Sequence, residues 1–357
     1  MTLRFRRAPL ALLASVLVLI AASCGDSSQQ TATGDTVTIR LLAHDSFALG
    51  DGLLAQFTAD TGIKVEVIQG GDAGSVVNQA ILTNGNPQAD VLFGIDSTLL
   101  TRALDEGLFL PYRAKDLRQV DAALLLDPDH RVTPIDYGDV CLNYDKAYFA
   151  GKDLPVPAAL ADLTRPIYKD LLVVENPATS SPGLAFLLAT IDAFGADGWQ
   201  AWWADLRANG VLVASGWEDA YYGQFSGGAG SDGSRPLVVS YASSPPAEVI
   251  YADPPVAEAP TGVIADGCYR QVEGAGILAG TKHEPEAGQL IDFLLSREVQ
   301  ADVATSMFVY PVRKGIELPA AFVDNAVRPD RVLALPAAEI SAHRDEWIDV
   351  WTDIVVR

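Results

Sequence analysis

The order of apolar and polar positions predicts alternating strands and helices in the first part of the chain. Residues 37–42 and 89–94 are short, mostly apolar runs, and residues 64–68 alternate apolar and polar side chains; each pattern predicts a β-strand. Between them, residues 51–60 and 75–82 carry apolar side chains at helical spacing. Strand, helix, strand, helix, strand is the order typical of an α/β sheet.

The same alternation continues through the second half of the chain. In residues 337–356, Trp347 and Trp351 lie four positions apart on one helical face, which favours packing against a core over ligand contact. The remaining elements show the same two kinds of pattern, that of strands and that of helices. Strands are predicted at residues 171–174, 237–241 and 271–277, and helices at residues 183–194, 284–295, 296–305 and 337–356.

The N-terminal segment has the pattern of an exported protein. Three arginines precede an apolar run over residues 8–22, and small residues follow it. This order predicts a secretory signal peptide at residues 1–23. The apolar run is too short for a membrane-spanning helix. We therefore expect a chain that works outside the cytoplasm.

The residues that follow the signal peptide suggest how the mature chain is held. Residues 19–24 resemble a bacterial lipobox, in which Cys24 becomes the lipidated first residue, although Ala21 stands where leucine is commoner. An ordinary exported protein with an incidental cysteine is the alternative. Residues 24–35 are rich in Ser, Thr, Gln and Gly and predict a flexible tether.

Size and charge narrow the class of protein. The 333 residues beyond Cys24 (357 − 24) are too many for one small domain and suit two lobes. The formal net charge is −21, and it becomes −24 once the three arginines of residues 1–23 are removed. Such an acidic surface argues against nucleic acid and anionic lipid as partners and mildly favours cationic ligands.

The residue types that carry catalysis or metal binding do not form a recognisable set. The chain has no GxSxG, HExxH or Walker motif, and its four histidines are scattered. Asp72, Asp136 and Glu273 are possible acid–base carboxylates, but their spacing pairs none of them. Cys141 and Cys268 form an even pair in an exported chain, which makes them candidates for a disulfide, with two buried free thiols as the alternative.

Two kinds of local pattern favour ligand binding. Small polar residues precede predicted helices at residues 44–47, 72–75 and 179–183, where free backbone N–H groups favour anions; plain helix capping is the alternative. Trp217 and Tyr241 stand next to turns, where aromatic side chains can offer a face to a flat heterocycle or a cation. Taken singly, each of these residues is more often part of a core.

Taken together in their order, eight segments resemble the thiamine-binding proteins of bacterial ABC importers. The resemblance covers almost all of the mature chain and implies a two-lobed periplasmic-binding-protein fold of type II, with the ligand between the lobes. The implied parts are lobe 1 (36–137 plus 270–320), lobe 2 (138–269) and a C-terminal segment (321–357). The segments are residues 44–47, 89–96, 135–138, 143–146, 179–184, 215–217, 239–245 and 310–312.

The resemblance also implies a ligand, partners and an assignment of site residues. The ligand is thiamine or a thiamine phosphate, delivered to an ABC permease by a monomer that is lipid-anchored and holds no cofactor or metal. Trp217 and Tyr241 would sandwich the aminopyrimidine ring. Ser180 and Ser181 would face the hydroxyethyl or phosphate end, with Asp72 and Ser75 opposite, and the candidates for the cationic thiazolium are Asp45, Asp136 and Tyr137.

The resemblance has further consequences for the hinge and two departures from the family pattern. The chain would cross between lobes near residues 136–142 and 268–274, so a bridge from Cys141 to Cys268 would join the two crossings. His44 stands where the family commonly has Tyr, and when protonated it would disfavour a cation. Phe308 stands where the family has a Trp near the ligand.

Two other functions stay open at this stage. A ferric-iron binding protein of the same fold would use adjacent tyrosines, and Tyr221 and Tyr222 form such a pair. An exported enzyme that processes thiamine would need a nucleophile in the cleft, for which Cys141 and Cys268 are the only cysteines of the mature chain apart from Cys24.

Overall fold

A computed structural model describes residues 36–357 of the chain. The predicted signal peptide (1–23), Cys24 and the predicted tether (24–35) lie outside the described residues. Within the described residues, no helix combines the length and the apolar character that crossing a bilayer requires.

The described part of the chain alternates strands and helices. The strands are β1 (Thr38–Ala43), β2 (Lys64–Gln69), β3 (Val91–Asp96), β4 (Phe109–Leu110), β5 (Thr133–Asp145), β6 (Leu172–Glu175), β7 (Leu212–Ala214), β8 (Leu237–Tyr241), β9 (Thr261–Leu278) and β10 (Tyr310–Pro311). The helices are α1 (Leu53–Thr61), α2 (Ala73–Leu82), α3 (Leu100–Asp105), α4 (Lys146–Gly151), α5 (Ser181–Phe194), α6 (Trp199–Ala208), α7 (Pro245–Ile250), α8 (Glu284–Leu294), α9 (Arg297–Ser306), α10 (Ala320–Asn325) and α11 (Ala337–Val355). A π-helical turn spans Asp219–Gln224.

The strands form one mixed sheet in the order β2-β1-β3-β9-β5-β8-β6-β7, with β4 on β9 and β10 on β5. At one end β1 pairs in parallel with β2 and β3, and at the other β6 pairs in parallel with β7 and β8. The long antiparallel strands β5 and β9 join the two ends. Each end of the sheet with its helices is one lobe, the first around β1 and the second around β6.

The two segments predicted as crossings lie in β5 and β9. Their pairing shifts register twice. Between Pro134 and Asp136 the extra residue is on β5, whereas between Val140 and Leu142 the extra residues are on β9, so each strand bulges once where the two pass from one lobe to the other. Cys141 and Cys268 are joined by a disulfide buried between the strands.

The apolar faces of the elements pack as the sequence pattern predicts. All of the helices and strands predicted from periodicity are present in the structure, within a few residues of their predicted ends, except that β9 is much longer than the predicted residues 271–277. Trp351 is buried against Trp203 of α6, with the ring centroids 5.5 Å apart. The α11 helix thereby packs on the second lobe, and it also reaches α3 of the first lobe.

Candidate functional site

A cavity of about 360 Å³ lies between the two lobes. The first lobe contributes the loop after β1, the start of α2 and the end of β3, and the second contributes the start of α5 and the segment from Ser215 to Tyr222. The floor is formed by strands β5 and β9 together with the ends of β3 and β8 and with His44 after β1. The residues that line the cavity include His44, Asp45, Ser46, Asp72, Ser75, Asp96, Asp136, Ser181, Trp217, Glu218, Asp219, Tyr221, Tyr222, Tyr241, Gln271, Glu273 and Phe308.

The charge of this lining is one-sided. Seven carboxylates line the cavity, whereas no Lys or Arg does so among the described residues. His44 is the only basic side chain there. A cation therefore fits the cavity electrostatically, whereas an anion meets repulsion from the ionised carboxylates. The seven are Asp45, Asp72, Asp96, Asp136, Glu218, Asp219 and Glu273.

The floor of the cavity concentrates three of these acids. Asp96 ends β3, and its carboxylate accepts hydrogen bonds from Thr98 and from the backbone N–H of Leu99 (3.0 Å). Burial raises the pKa of Asp96 to about 6, although these hydrogen bonds oppose the shift. Asp136 of β5 lies beside Glu273 of β9, and burial together with Glu273 raises its pKa well above the usual value. One oxygen of Asp136, Oδ2, is buried and has no hydrogen-bond partner among the described residues.

Tyr241 and Gln271 complete the floor. The hydroxyl of Tyr241 donates to Oε1 of Gln271 (2.9 Å), and the amide nitrogen of Gln271 donates to Asp96 Oδ2. Burial and the surrounding acids raise the pKa of Tyr241 well above its usual value, so it remains a neutral phenol. This chain of bonds holds the ring of Tyr241 in one place at the edge of the cavity.

His44 stands directly after β1 and faces Glu273. Its Nε2 lies 3.2 Å from Oε1 of Glu273, and only 14% of the His44 side chain and 17% of the Glu273 side chain are exposed. Burial lowers the pKa of His44, but the Glu273 carboxylate, with Asp72 and Asp45, outweighs burial and raises it.

The wall contributed by the second lobe is aromatic. The indole of Trp217 is stacked on the ring of Tyr221, with centroids 4.9 Å apart, and meets Tyr222 edge-on. Its Nε1 donates to Oγ of Ser240 (2.9 Å). Trp217 is thus held in a fixed orientation with Tyr221 behind it, and part of the indole remains exposed to the cavity.

Asp72 ties the two lobes together at the rim of the cavity. It caps α2 of the first lobe by accepting from its neighbour Ala73 (2.6 Å), and it also accepts from the backbone N–H groups of Ser181 (3.1 Å) and Trp217 (2.9 Å) of the second lobe. The backbone N–H of Ser75 donates to the carbonyl of Thr179 (3.0 Å) next to these bonds. We call these contacts of Asp72 and Ser75 the Asp72 seam. Burial raises the pKa of Asp72, while its hydrogen bonds oppose the shift.

The structure brings nine of the eleven predicted ligand-binding residues to the cavity. Ser180 lies just behind it, where its hydroxyl caps α5 by accepting from Gly183 (3.3 Å). Tyr137 lies outside it, because it neighbours Asp136 in β5 and successive strand residues face opposite sides. Its ring is stacked on Tyr310 and lies under the guanidinium of Arg270. The nine are His44, Asp45, Asp72, Ser75, Asp136, Ser181, Trp217, Tyr241 and Phe308.

Sequence reasoning missed Asp96, Gln271 and Glu218 as lining residues and gave Glu273 no ligand role. Asp96 ends a fully apolar strand, which is a position where a polar side chain points to function. Gln271 and Glu273 alternate along β9 and share one face with each other. Glu218 accepts a hydrogen bond from Ser46 of the opposite lobe (2.7 Å), and nothing in its local sequence signals this contact.

The two tyrosines of the iron alternative have different surroundings, Tyr221 being buried and Tyr222 partly exposed. The hydroxyl of Tyr221 is buried and donates to Glu248 (2.9 Å). Burial and Glu248 raise the pKa of Tyr221 well above its usual value, and burial and nearby acids raise that of Tyr222 to about 12. Both side chains are therefore neutral phenols at physiological pH. In residues 36–357, no group of three or more His, Cys, Asp or Glu side chains is arranged to hold a metal ion.

Comparison with known proteins assigns the chain to a family. The family model described as bacterial extracellular solute-binding protein matches residues 86–343. The thiamine-binding periplasmic protein of Escherichia coli (strain K12) is 31% identical, over 89% of this chain and 94% of the relative. The iron uptake protein A1 of Synechocystis sp. is 25% identical, over 83% of this chain and 82% of the relative.

The fold agrees with that assignment. A solved structure described as a periplasmic thiamin binding protein superposes with a TM-score of 0.79 at 28% identity, covering 90% of this chain and 96% of that one. These matches confirm the resemblance found in the sequence and the two-lobed α/β fold that it implied. The chain belongs to the family of bacterial extracellular solute-binding proteins.

Proposed function

We propose that this protein binds thiamine between its two lobes and delivers it to the permease of an ABC importer. The observation that carries the proposal is a cavity beside the aromatic side chains of Trp217 and Tyr241 that, among residues 36–357, is lined by seven carboxylates and by no Lys or Arg. Thiamine has a cationic thiazolium and a flat aminopyrimidine, so it needs carboxylates and aromatic faces together. The thiamine-binding relative of similar length supports the same ligand.

The cavity suggests a place for each part of the ligand. The aminopyrimidine lies between Trp217 and Tyr241, with its amino group directed towards Asp136. The thiazolium lies near Glu273 and Asp45. The hydroxyethyl end points to Ser75 and Ser181 at the Asp72 seam. Closure of the lobes around this ligand follows from contacts to both.

The same seam bears on the choice between thiamine and its phosphates. A phosphate at the start of α5 would profit from free N–H groups and two serine hydroxyls. Asp72, however, already accepts from the backbone N–H of Ser181. A phosphorylated ligand must therefore displace or protonate that carboxylate.

Calorimetric titration with thiamine, its monophosphate and its diphosphate tests the proposal. We expect tight, saturable binding of at least one of the three. Absence of heat with all three would refute the assignment. A neutral aminopyrimidine that lacks the thiazolium is the matched control, and it should bind far more weakly because it gains nothing from the carboxylates.

Iron and catalysis are the alternatives that experiments should separate from thiamine binding. An iron–tyrosinate site absorbs visible light, so a colourless mixture with ferric citrate opposes the iron function. Turnover would need a nucleophile, and Cys141 and Cys268 are buried and bonded to each other. We propose that the protein is not an enzyme, and we expect thiamine to be recovered unchanged after long incubation.

The last part of the proposal concerns the membrane anchor and the domain arrangement of the mature protein. We propose a lipid on Cys24, a flexible tether over residues 24–35, and a monomeric binding unit with lobes at 36–137 plus 270–320 and at 138–269, followed by the segment 321–357. A single acyl chain binds a membrane only marginally, so the several chains of a bacterial lipoprotein matter. Mass spectrometry of the mature N-terminus tests the lipidation.

A further inference from the structure

The floor of the cavity contains one side chain that can carry a positive charge, and it lies where a cationic ligand is needed. Nε2 of His44 lies 3.2 Å and 3.4 Å from the two carboxylate oxygens of Glu273. A protonated His44 is therefore an internal counter-charge for Glu273. The ligand cation and the imidazolium compete for the same carboxylate.

The imidazole is held in this position. Its ring packs against Phe93, with centroids 5.5 Å apart. It also lies over Gly94, where a Cβ atom would be only 2.7 Å from Cδ2 of His44 and where φ is +105°. A side chain at position 94 would collide with the imidazole ring and displace it from Glu273. Gly94 leaves that space open, so the ring can lie beside Glu273.

Every other ionisable group that faces His44 is an acid. Asp45 follows it in the same loop, and Asp72 faces it from the start of α2. Asp96 on β3 and Asp136 on β5 lie in the same floor, next to Glu273 of β9. No Lys or Arg lines this part of the described structure. These surroundings favour the imidazolium in the empty cavity and oppose it once a second cation enters.

We infer that ligand capture is coupled to a proton, because the arriving cation replaces the proton that His44 holds beside Glu273. The inference rests on the proposed binding of a cationic ligand and makes His44 a specificity-determining residue. One positive charge enters the floor, and one proton leaves Nε2 of His44 for the solvent. The charge of the floor is thereby unchanged, and an acidic medium weakens capture.

The first test is the pH dependence of thiamine affinity between about pH 6 and pH 8. We expect the affinity of the wild type to rise with pH, by at most about tenfold per pH unit, because one proton is exchanged. His44→Gln should give a nearly flat profile and should bind more tightly than the wild type at the acid end. His44→Tyr provides a second uncharged variant in case the first folds poorly. His343→Gln, on α11 and remote from the cavity, is the matched control and should follow the wild type.

The second test counts protons directly. Calorimetry in two buffers of different ionisation enthalpy should show release of up to about one proton per thiamine bound by the wild type and by His343→Gln. His44→Gln should release almost none. Release that persists in His44→Gln would come from Asp96 or Asp136 and would overturn the inference, as would a wild-type affinity that does not change with pH. Failure of thiamine to bind at any pH would instead refute the proposed function itself.

Discussion

Gly74 is the position where one methyl group should interfere with closure of the lobes. It lies in the first turn of α2, and a Cβ atom there would be 2.6 Å from the carbonyl oxygen and 2.7 Å from the carbonyl carbon of Thr179 in the opposite lobe. Non-bonded carbon atoms need about 3.5 Å. Gly74→Ala therefore forces the two backbones apart by roughly 0.8 Å or more.

That separation breaks the Asp72 seam. The bonds from Ser75 to Thr179 and from Ser181 and Trp217 to Asp72 are 2.9–3.1 Å long, and a shift of this size takes them beyond hydrogen-bond range. Each bond is worth about 1 kcal/mol after exchange with water, or more where a carboxylate accepts. We expect closure to lose about 1–3 kcal/mol, which weakens thiamine affinity by roughly fivefold to a hundredfold.

Stability separates this effect from misfolding. Alanine is preferred to glycine inside a helix by about 1 kcal/mol, so Gly74→Ala should leave the free energy of unfolding unchanged or slightly higher in the open form. Calorimetry measures the affinity, urea titration the stability and small-angle X-ray scattering the closure. Gly151→Ala, in α4 with no atom within 4 Å of the added methyl, is the matched control. Wild-type affinity in Gly74→Ala, or lost stability with unchanged closure, would refute the reasoning.

Three further predictions concern the wall, the floor and the hinge. Trp217→Leu removes the aromatic face and should weaken thiamine binding by about tenfold or more, or ~1.4 kcal/mol, in a fluorescence or calorimetric titration. Asp136→Asn should weaken binding but raise the Tm at neutral pH. Burial and Glu273 raise the pKa of Asp136, so the folded state binds its proton more tightly than the unfolded chain does. Keeping Asp136 in the folded state at neutral pH therefore costs stability, and Asn removes that cost. Cys141→Ser with Cys268→Ser removes a bridge between positions 127 apart and should lower the free energy of unfolding in urea by roughly 2–5 kcal/mol.

Each of these predictions has an outcome that contradicts it. Trp347→Phe, on α11, is the control for Trp217, and equal losses in both variants would show that the indole face has no special role. For Asp136→Asn, the gain in Tm should begin to shrink as the pH falls below the raised pKa of Asp136 and should vanish only near the ordinary Asp value of about 4, where the unfolded chain is also protonated. A gain independent of pH would contradict the electrostatic cause. For the cysteine variant, unfolding at the wild-type urea concentration would contradict the prediction.

The elements that periodicity predicts well are those with an uninterrupted apolar pattern. Strands such as β1 and β8 are mostly apolar and buried on both faces, helices such as α8 bury one apolar face, and the ends of these elements are predicted to within about two residues. β5 is different, because Asp136, Asp139 and Asn143 are buried within it and interrupt its apolar pattern. Buried polar side chains break the apolar pattern from which a strand is predicted, so the strand that carries them is missed.

In the candidate site too, some features were predictable from the sequence and others were not. Local signals such as helix starts and aromatic residues next to turns led to Asp72, Ser181 and Trp217. They do not reveal that Asp72 closes on the opposite lobe, because the contact joins residues more than a hundred positions apart. Strand parity decides between Asp136 and Tyr137, and the bulge of β5 directly before Asp136 makes that parity unreadable from the sequence.

The position of the buried acids links binding to the hinge. Asp136 and Glu273 lie on β5 and β9, the two strands that join the lobes, so their mutual repulsion acts where the lobes move. In the empty protein, proton uptake by Asp136 and the imidazolium of His44 beside Glu273 limit that repulsion. A cation between the lobes offsets it directly and contacts both lobes at once. The ligand that fits the charge of the floor is therefore also the ligand that favours closure, because a neutral molecule of the same shape leaves the compensation of the acids on the hinge strands to protons alone.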